Sequence, residues 1–311
     1  MAQPIVGDMA VAVSCRQEPR DDCDLMGRFS LWTHYSFMGI LQRDRVLSMP
    51  TNHGYDAMRR NSQLDDVACM IRRDVFSQFA YRGDFAEDMD LGLRLIKKGY
   101  RLSLLSGTYV VHSHNRPAFY YLKRCLVDTM TLKQLFDDFP VEKLTEKTAT
   151  NRIMGMTAAI WHYVRELTQT QNNPTQRRSF FAWSTRFFDA EKQKLRGLGY
   201  EDFAPIIREK PLFCDDRFFD FIQDLYCHAS GSFRVNTDWL ELRRNSILKD
   251  LEAYLAYTGE PFTKETIDEI AELFVKHCGQ AAGETLAYYA QTHAQEASFL
   301  NEWVQELRRG V

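Results

Sequence analysis

Near residue 140 the chain changes its hydropathy period, and that change limits what it can fold into. Before it, short β-prone runs alternate with amphipathic ones. Met9–Cys15 (MAVAVSC) is rich in Val and Ala and too short for a stable helix, and 68–71 is a second short apolar run. Arg101–Leu105 (RLSLL) alternates, and Thr108–Val111 (TYVV) is β-branched and aromatic. Between these runs the spacing predicts helices over 24–38, 73–79 and 88–98. The last stops at Gly99, a natural C′ residue, with Lys97 and Lys98 complementing the helix dipole in its final turn. Strand and helix in alternation argue for an α/β domain with a mixed sheet.

After residue 140 the strand signals vanish. Helices are predicted over 144–167, 177–198, 216–228, 237–257, 264–278 and 283–309, with Leu240, Ile247, Leu251 and Tyr254 forming one apolar stripe. Pro174, Gly197, Gly199, Gly231, Gly259 and Pro261 punctuate the breaks. The expected organisation is an α/β domain over 1–140 and an all-α domain over 141–311, and 311 residues suit such a pair.

Composition narrows the function classes. Hydrophobic residues make up 45% and charged ones 26%, enough to bury a core. A net charge of −3 supplies no basic surplus, so nucleic acid is not an expected partner. Arg177–Phe188 (RRSFFAWSTRFF) interleaves cations and aromatics as single-strand binders do, but no second such patch exists, and it reads as a core face with solvated cations. Seven cysteines, an odd number with no CxxC pair, suit neither a disulfide framework nor a zinc site and point to a reducing cytosol. The N-terminal MAQPIVGDMAVAVSCRQ has no basic leader or apolar core of a signal peptide, and no run reaches the length of a membrane span. The expected location is cytoplasmic, with peripheral contact to the inner membrane left open by 116–136. That amphipathic segment opens with Phe119, Tyr120, Tyr121, Lys123 and Arg124, and reads either as an interfacial helix or as a helix packed on the sheet. His162, His228, His277 and His293 lie in helical patterns with no expected acidic or His partner four residues on, and read as structural.

The chemistry-bearing stretch is FAEDMDLGLRL, 85–95, where Glu87, Asp88 and Asp90 crowd the start of a helix. One reading is structural. Acids in a first turn complement the helix dipole, Asp90 and Arg94 stand four apart as an ion pair, and Leu91, Leu95 and Ile96 form the buried face. The other is catalytic: a carboxylate at a helix start, after a loop, sits at the mouth of an α/β sheet, where ligands bind, and can accept a hydroxyl proton. Downstream, VVHSHN sets His112 and His114 two apart, so on a strand both share one face and could ligate a metal or a diphosphate-bound metal. Asp22-Cys23-Asp24 spells Asp-x-Asp, but it follows a Pro-Arg turn ahead of a helix and reads as an N-cap cluster.

In order, AVSCRQEPRDDCD, VACMIRRDVF, FAEDMDLGLRLIKKGYRL and TYVVHSHNRPAFYYLKR resemble blocks of the inverting family-2 glycosyltransferases of the GT-A fold, among them bacterial members that build cell-surface glycans. The resemblance covers about 5–135. It implies a nucleotide-sugar donor, a glycan or lipid-linked acceptor, and a divalent cation, Mg²⁺ or Mn²⁺. It implies Asp88 as the catalytic base and Glu87 as its support or an acceptor contact. His112, then His114, would contact the metal or diphosphate, while Arg16, Gln17, Asp90 and Arg94 would flank the substrate pocket.

The family pattern opens with a nucleotide-binding half and an Asp-x-Asp metal motif that lie ahead of the first residues here. A chain starting beyond them is expected to leave a sheet edge unpaired and to need an upstream start or a partner chain. Two further readings therefore stay open: a catalytically incompetent scaffold or interaction protein, and a metal-dependent hydrolase using Asp88 and the two histidines.

Overall fold

Apolar residues on both faces of one short run place it at the centre of a sheet. In the computed structural model, which describes residues 1–83, 85–169, 176–196, 198, 200–229, 238–293 and 296–309, a short helix α1 (Gln3–Val6) leads into that run, β1 (Ala12–Glu18). Ala12, Val13, Ser14 and Cys15 are all buried. Then follow α2 (Leu25–Met38), β2 (Arg45–Leu47), α3 (Tyr55–Asn61), β3 (Cys69–Ile71), α4 (Arg73–Phe79), α5 (Glu87–Lys97) and β4 (Leu102–Val111). The sheet order is β2-β4-β1-β3. β1 and β4 run parallel at its centre, from Ala12 opposite Leu102 to Glu18 opposite Val111, and the two edge strands are antiparallel.

The runs 101–105 and 108–111 are one strand, not two. The ladder jumps from Cys15 opposite Leu105 to Arg16 opposite Tyr109, so the residues around Gly107 bulge without ending the strand. β2 and α3 escaped the sequence pattern because each is short and has one apolar residue facing inward, Leu47 and Met58. Asp24 caps α2, accepting the Gly27 backbone N–H at 2.8 Å, as the N-cap reading requires. Leu91, Leu95 and Ile96 of α5 are fully covered, packed with Val11, Tyr35, Met38 and Leu102. Gly99, at φ +89°, ends that helix.

Two compact units divide the chain: Met1–Asn115 with Thr131–Pro140, and Arg116–Met130 with Val141–Val311. Helix α6 (Ala118–Leu135) contributes to both. The second unit continues with α7 (Glu146–Gln169), α8 (Arg177–Leu195), α9 (Tyr200–Ile207), α10 (Asp216–His228), α11 (Asp238–Thr258), α12 (Lys264–His293) and α13 (Phe299–Leu307).

Three sequence expectations change here. The helices predicted over 264–278 and 283–309 are differently divided: α12 runs unbroken through Gly279 and Gly283 to His293, and α13 follows. Side chains at either glycine would collide with the α6 backbone, at Ala118 and Leu122. Close helix packing thus offsets the roughly 1 kcal/mol that each glycine costs inside a helix. The same contact bears on the second expectation, since α6 packs on α12 at Ala118 and Leu122. Third, His162 has acidic partners: Glu166 four residues on, at 3.6 Å, and Glu191 of α8, at 2.9 Å. The basic-aromatic segment of α8 is spent on the core, where Phe180, Phe181 and Phe188 are buried, Tyr163 packs against Phe188 with ring centroids 4.6 Å apart, and Arg177 donates to the Leu255 carbonyl. Of the α11 stripe, Leu251 and Tyr254 are buried and Ile247 is half-buried. Pro174, Gly197, Gly199 and Gly231 lie outside the described residues, as does the side chain of Leu240.

Candidate functional site

The carboxylates cluster where α5 begins. Asp88 is half-buried, and its Oδ1 accepts the Met89 backbone N–H at 2.6 Å. Burial pushes its pKa up to about 6, partly offset by that hydrogen bond and reinforced by the negative charges of Asp66, Glu87 and Asp65. No cation pairs with it in the first turn. Ala86, immediately before the helix, is held at φ +51°, a left-handed conformation that costs on the order of 1 kcal/mol for a residue with a Cβ.

Asp90, two residues on, is managed in the opposite way. Burial would raise its pKa, but hydrogen bonds from Arg82 (2.7 Å) and Arg94 (2.8 Å) win and lower it. Arg94 also donates to the Phe79 and Ala80 carbonyls, at 2.5 and 2.8 Å. Asp90 and Arg94 therefore clamp the end of α4 and its following loop onto α5, the ion pair expected from their spacing. Both side chains are committed to this clamp.

A second polar group joins the first through residues that the sequence reading missed. Asp65, buried beside a one-turn 3₁₀ helix (Asp66–Ala68), accepts from Gln17 Nε2 at 2.7 Å and from the Tyr35 hydroxyl at 3.4 Å. Its backbone N–H donates to Ser14 Oγ at 3.0 Å. Burial raises the Asp65 pKa, and the Gln17 hydrogen bond opposes the rise. Gln17 Oε1 lies 2.8 Å from His112 Nδ1. The chain His112–Gln17–Asp65–Tyr35 thus crosses the carboxyl-terminal ends of the parallel pair β1 and β4. Gly92 makes the junction tight: a Cβ there would run into the Ser62 carbonyl, so α5 approaches the segment leading to Asp65 only because residue 92 has no side chain. Cys69 sits in the same field. Burial and the charges of Asp65, Asp88 and Asp66, against a Ser14 hydrogen bond, push its thiol up to about 11 and keep it protonated at neutral pH.

His112 and His114 are brought together, with ring centroids 4.6 Å apart and edge-to-face, although β4 ends at Val111, before either. Among the described residues no group of three or more His, Cys, Asp or Glu side chains is arranged to hold a metal ion. Arg16 pairs with Glu18 at 2.6 Å and does not reach Asp88 through any described hydrogen bond. A cavity of about 420 Å³, lined by Met49, His53, Met58, Leu93 and Phe136, lies toward the other end of α5 and includes none of the predicted residues. No helix among the described residues is long and apolar enough to cross a membrane, and all seven cysteines are free thiols. Compared with protein-family models, curated proteins and solved structures, the chain shows no match.

The signal for Asp65 and Asp66 was present as the pair of adjacent acids in NSQLDDVACM, directly ahead of a short β-prone run. Like the Glu-Asp pair, these acids stand at the start of a helical turn.

Proposed function

We propose that the α/β unit is the acceptor-activating part of an inverting glycosyltransferase of the GT-A type, acting on a nucleotide-sugar donor and a glycan or lipid-linked acceptor. The observation that carries the reading is the contrast inside one helical turn. Asp90 is neutralised by two arginines, while Asp88 has no cation paired to it among the described residues and burial raises its pKa to about 6. A carboxylate with that pKa is still mostly ionised at neutral pH yet more basic than an ordinary aspartate, which suits a general base.

In the mechanism Asp88 takes the proton of an acceptor hydroxyl as its oxygen forms a bond to the anomeric carbon. The bond from that carbon to the leaving oxygen breaks on the opposite face, and its electron pair departs with the nucleoside diphosphate. A Mg²⁺ or Mn²⁺ ion held by His112 and His114 together with the diphosphate would supply charge neutralisation to the leaving group. Glu87 stands beside Asp88 to orient the acceptor and, by its charge, to keep the base strong. Asp90 and Arg94 hold the loop before α5 in place. The expected location is the cytoplasm, at or near the inner membrane surface.

The test is transfer by the full chain, with a panel of nucleotide sugars and glycan acceptors, read as nucleoside diphosphate released. Asp88→Asn should abolish acceptor-dependent release. Equal rates for the two proteins would remove the base role and favour the scaffold reading.

A further inference from the structure

The hydrogen bonds around Gln17 have a direction, and that direction reaches His112. Asp65 accepts at both oxygens, from Val67 N–H at Oδ1 (3.2 Å) and from Gln17 and Tyr35 at Oδ2 (2.7 and 3.4 Å). The NH₂ end of the Gln17 amide must therefore face Asp65, and Oε1 must face the other way. Oε1 lies 2.8 Å from His112 Nδ1. An amide oxygen only accepts, so Nδ1 carries a hydrogen. A neutral imidazole has one N–H, which leaves Nε2 with its lone pair.

Neither partner is free to rearrange. The Gln17 backbone N–H donates to the Tyr35 hydroxyl oxygen at 2.7 Å, and Gln17 stands opposite Val110 in the parallel ladder. The His112 backbone N–H donates to the Glu18 carbonyl at 2.9 Å. Among the described residues, Gln17 alone hydrogen-bonds the His112 ring.

We infer that Gln17 is a positioning residue: it converts the fixed acceptor character of buried Asp65 into a fixed tautomer of His112, with Nδ1–H turned inward and Nε2 offered as an electron-pair donor. The ligand class for that nitrogen is an electron-pair acceptor, either a hydroxyl hydrogen or a divalent cation. Its meaning for sugar transfer rests on the glycosyltransferase reading, whereas the tautomer rests only on the hydrogen bonds. The two can therefore fail separately.

The experiment is a long-range ¹H–¹⁵N correlation spectrum of the full chain labelled at histidine, recorded at about pH 8, where a free imidazole is neutral. His112→Gln identifies the His112 signals. The wild type should show Nδ1 protonated and Nε2 at the shift of an unprotonated ring nitrogen. Gln17→Met, similar in length but with no amide, should shift the population toward Nε2–H. Asp65→Asn, which lets the Gln17 amide turn over, should do the same without touching either partner of the bond. Gln17→Glu, still an acceptor toward Nδ1, should keep Nδ1 protonated. A wild-type spectrum showing Nε2–H overturns the inference without any variant, and unchanged populations in both Gln17→Met and Asp65→Asn overturn the role of Gln17.

Discussion

The two units bury carboxylates in different ways. In the helical unit Glu191 is 3% exposed, and burial alone would raise its pKa. His162 at 2.9 Å and Lys194 at 2.6 Å outweigh that and lower it, so the charge is compensated where it lies. In the α/β unit Asp65 is buried among neutral donors and Asp88 is half-buried with a single backbone N–H, and both pKa values rise. A fold that only needed stability would pair these acids, as it pairs Glu191 and Asp90. Uncompensated burial costs free energy, and a site that needs a strong base accepts that cost.

Rate separates the two kinds of buried carboxylate most strongly. Asp88→Asn should lower acceptor-dependent transfer by at least about 10²-fold, the usual worth of a general base, while Glu191→Gln should leave it within about twofold. The rate should also fall as pH drops below about 6, as Asp88 takes up its proton. Next in size is a packing effect. Gly92→Ala should destabilise the α/β unit by about 2 kcal/mol, read by urea unfolding, because the Ser62 backbone must move. It should also disturb the Asp65 network. Gly283→Ala, against the α6 backbone, should cost a similar amount without touching transfer.

The smaller effects have opposite signs in pH. Glu191 has a lowered native pKa, so its contribution is present above the unfolded value and is lost as pH falls through the native one. Glu191→Gln should cost about 1 kcal/mol at neutral pH, and less in acid. Asp88 has a raised native pKa. Between about 4 and about 6 the native state keeps a proton that the unfolded chain has released, so stability falls as pH rises through that window. Asp88→Asn removes the penalty and should stabilise the protein at neutral pH by on the order of 1–2 kcal/mol, with the gain fading toward about pH 4. Parallel urea titrations of the two variants across this range check both signs.

The α5 face and its C-terminal end were legible in the sequence because they are local: Leu91, Leu95, Ile96 and Gly99 obey helix spacing, and Asp90 with Arg94 obeys the four-residue rule. β2 and α3 were not, since a three-residue strand with one buried side chain carries no period. The long α12 was misdivided because the stretch between Gly279 and Gly283 looks like a break until α6 is seen to need both glycines. At the site, Asp88 and His112 stand in recognisable runs, but Asp65 is joined to Gln17 across 48 positions and Gln17 to His112 across 95. Contacts of that separation follow from sheet topology, not from neighbouring residues. His162 and Glu191 are likewise partners only because α7 and α8 pack together.

The most direct measurement is the ionisation of Asp88 itself. A ¹³C-carboxylate titration of the full chain, with the Asp88 signal identified by its loss in Asp88→Asn, should give a midpoint near 6. A midpoint at or below about 4, the ordinary aspartate value, would mean that the carboxylate is compensated like Asp90 and Glu191, and would contradict the assignment of Asp88 as a base.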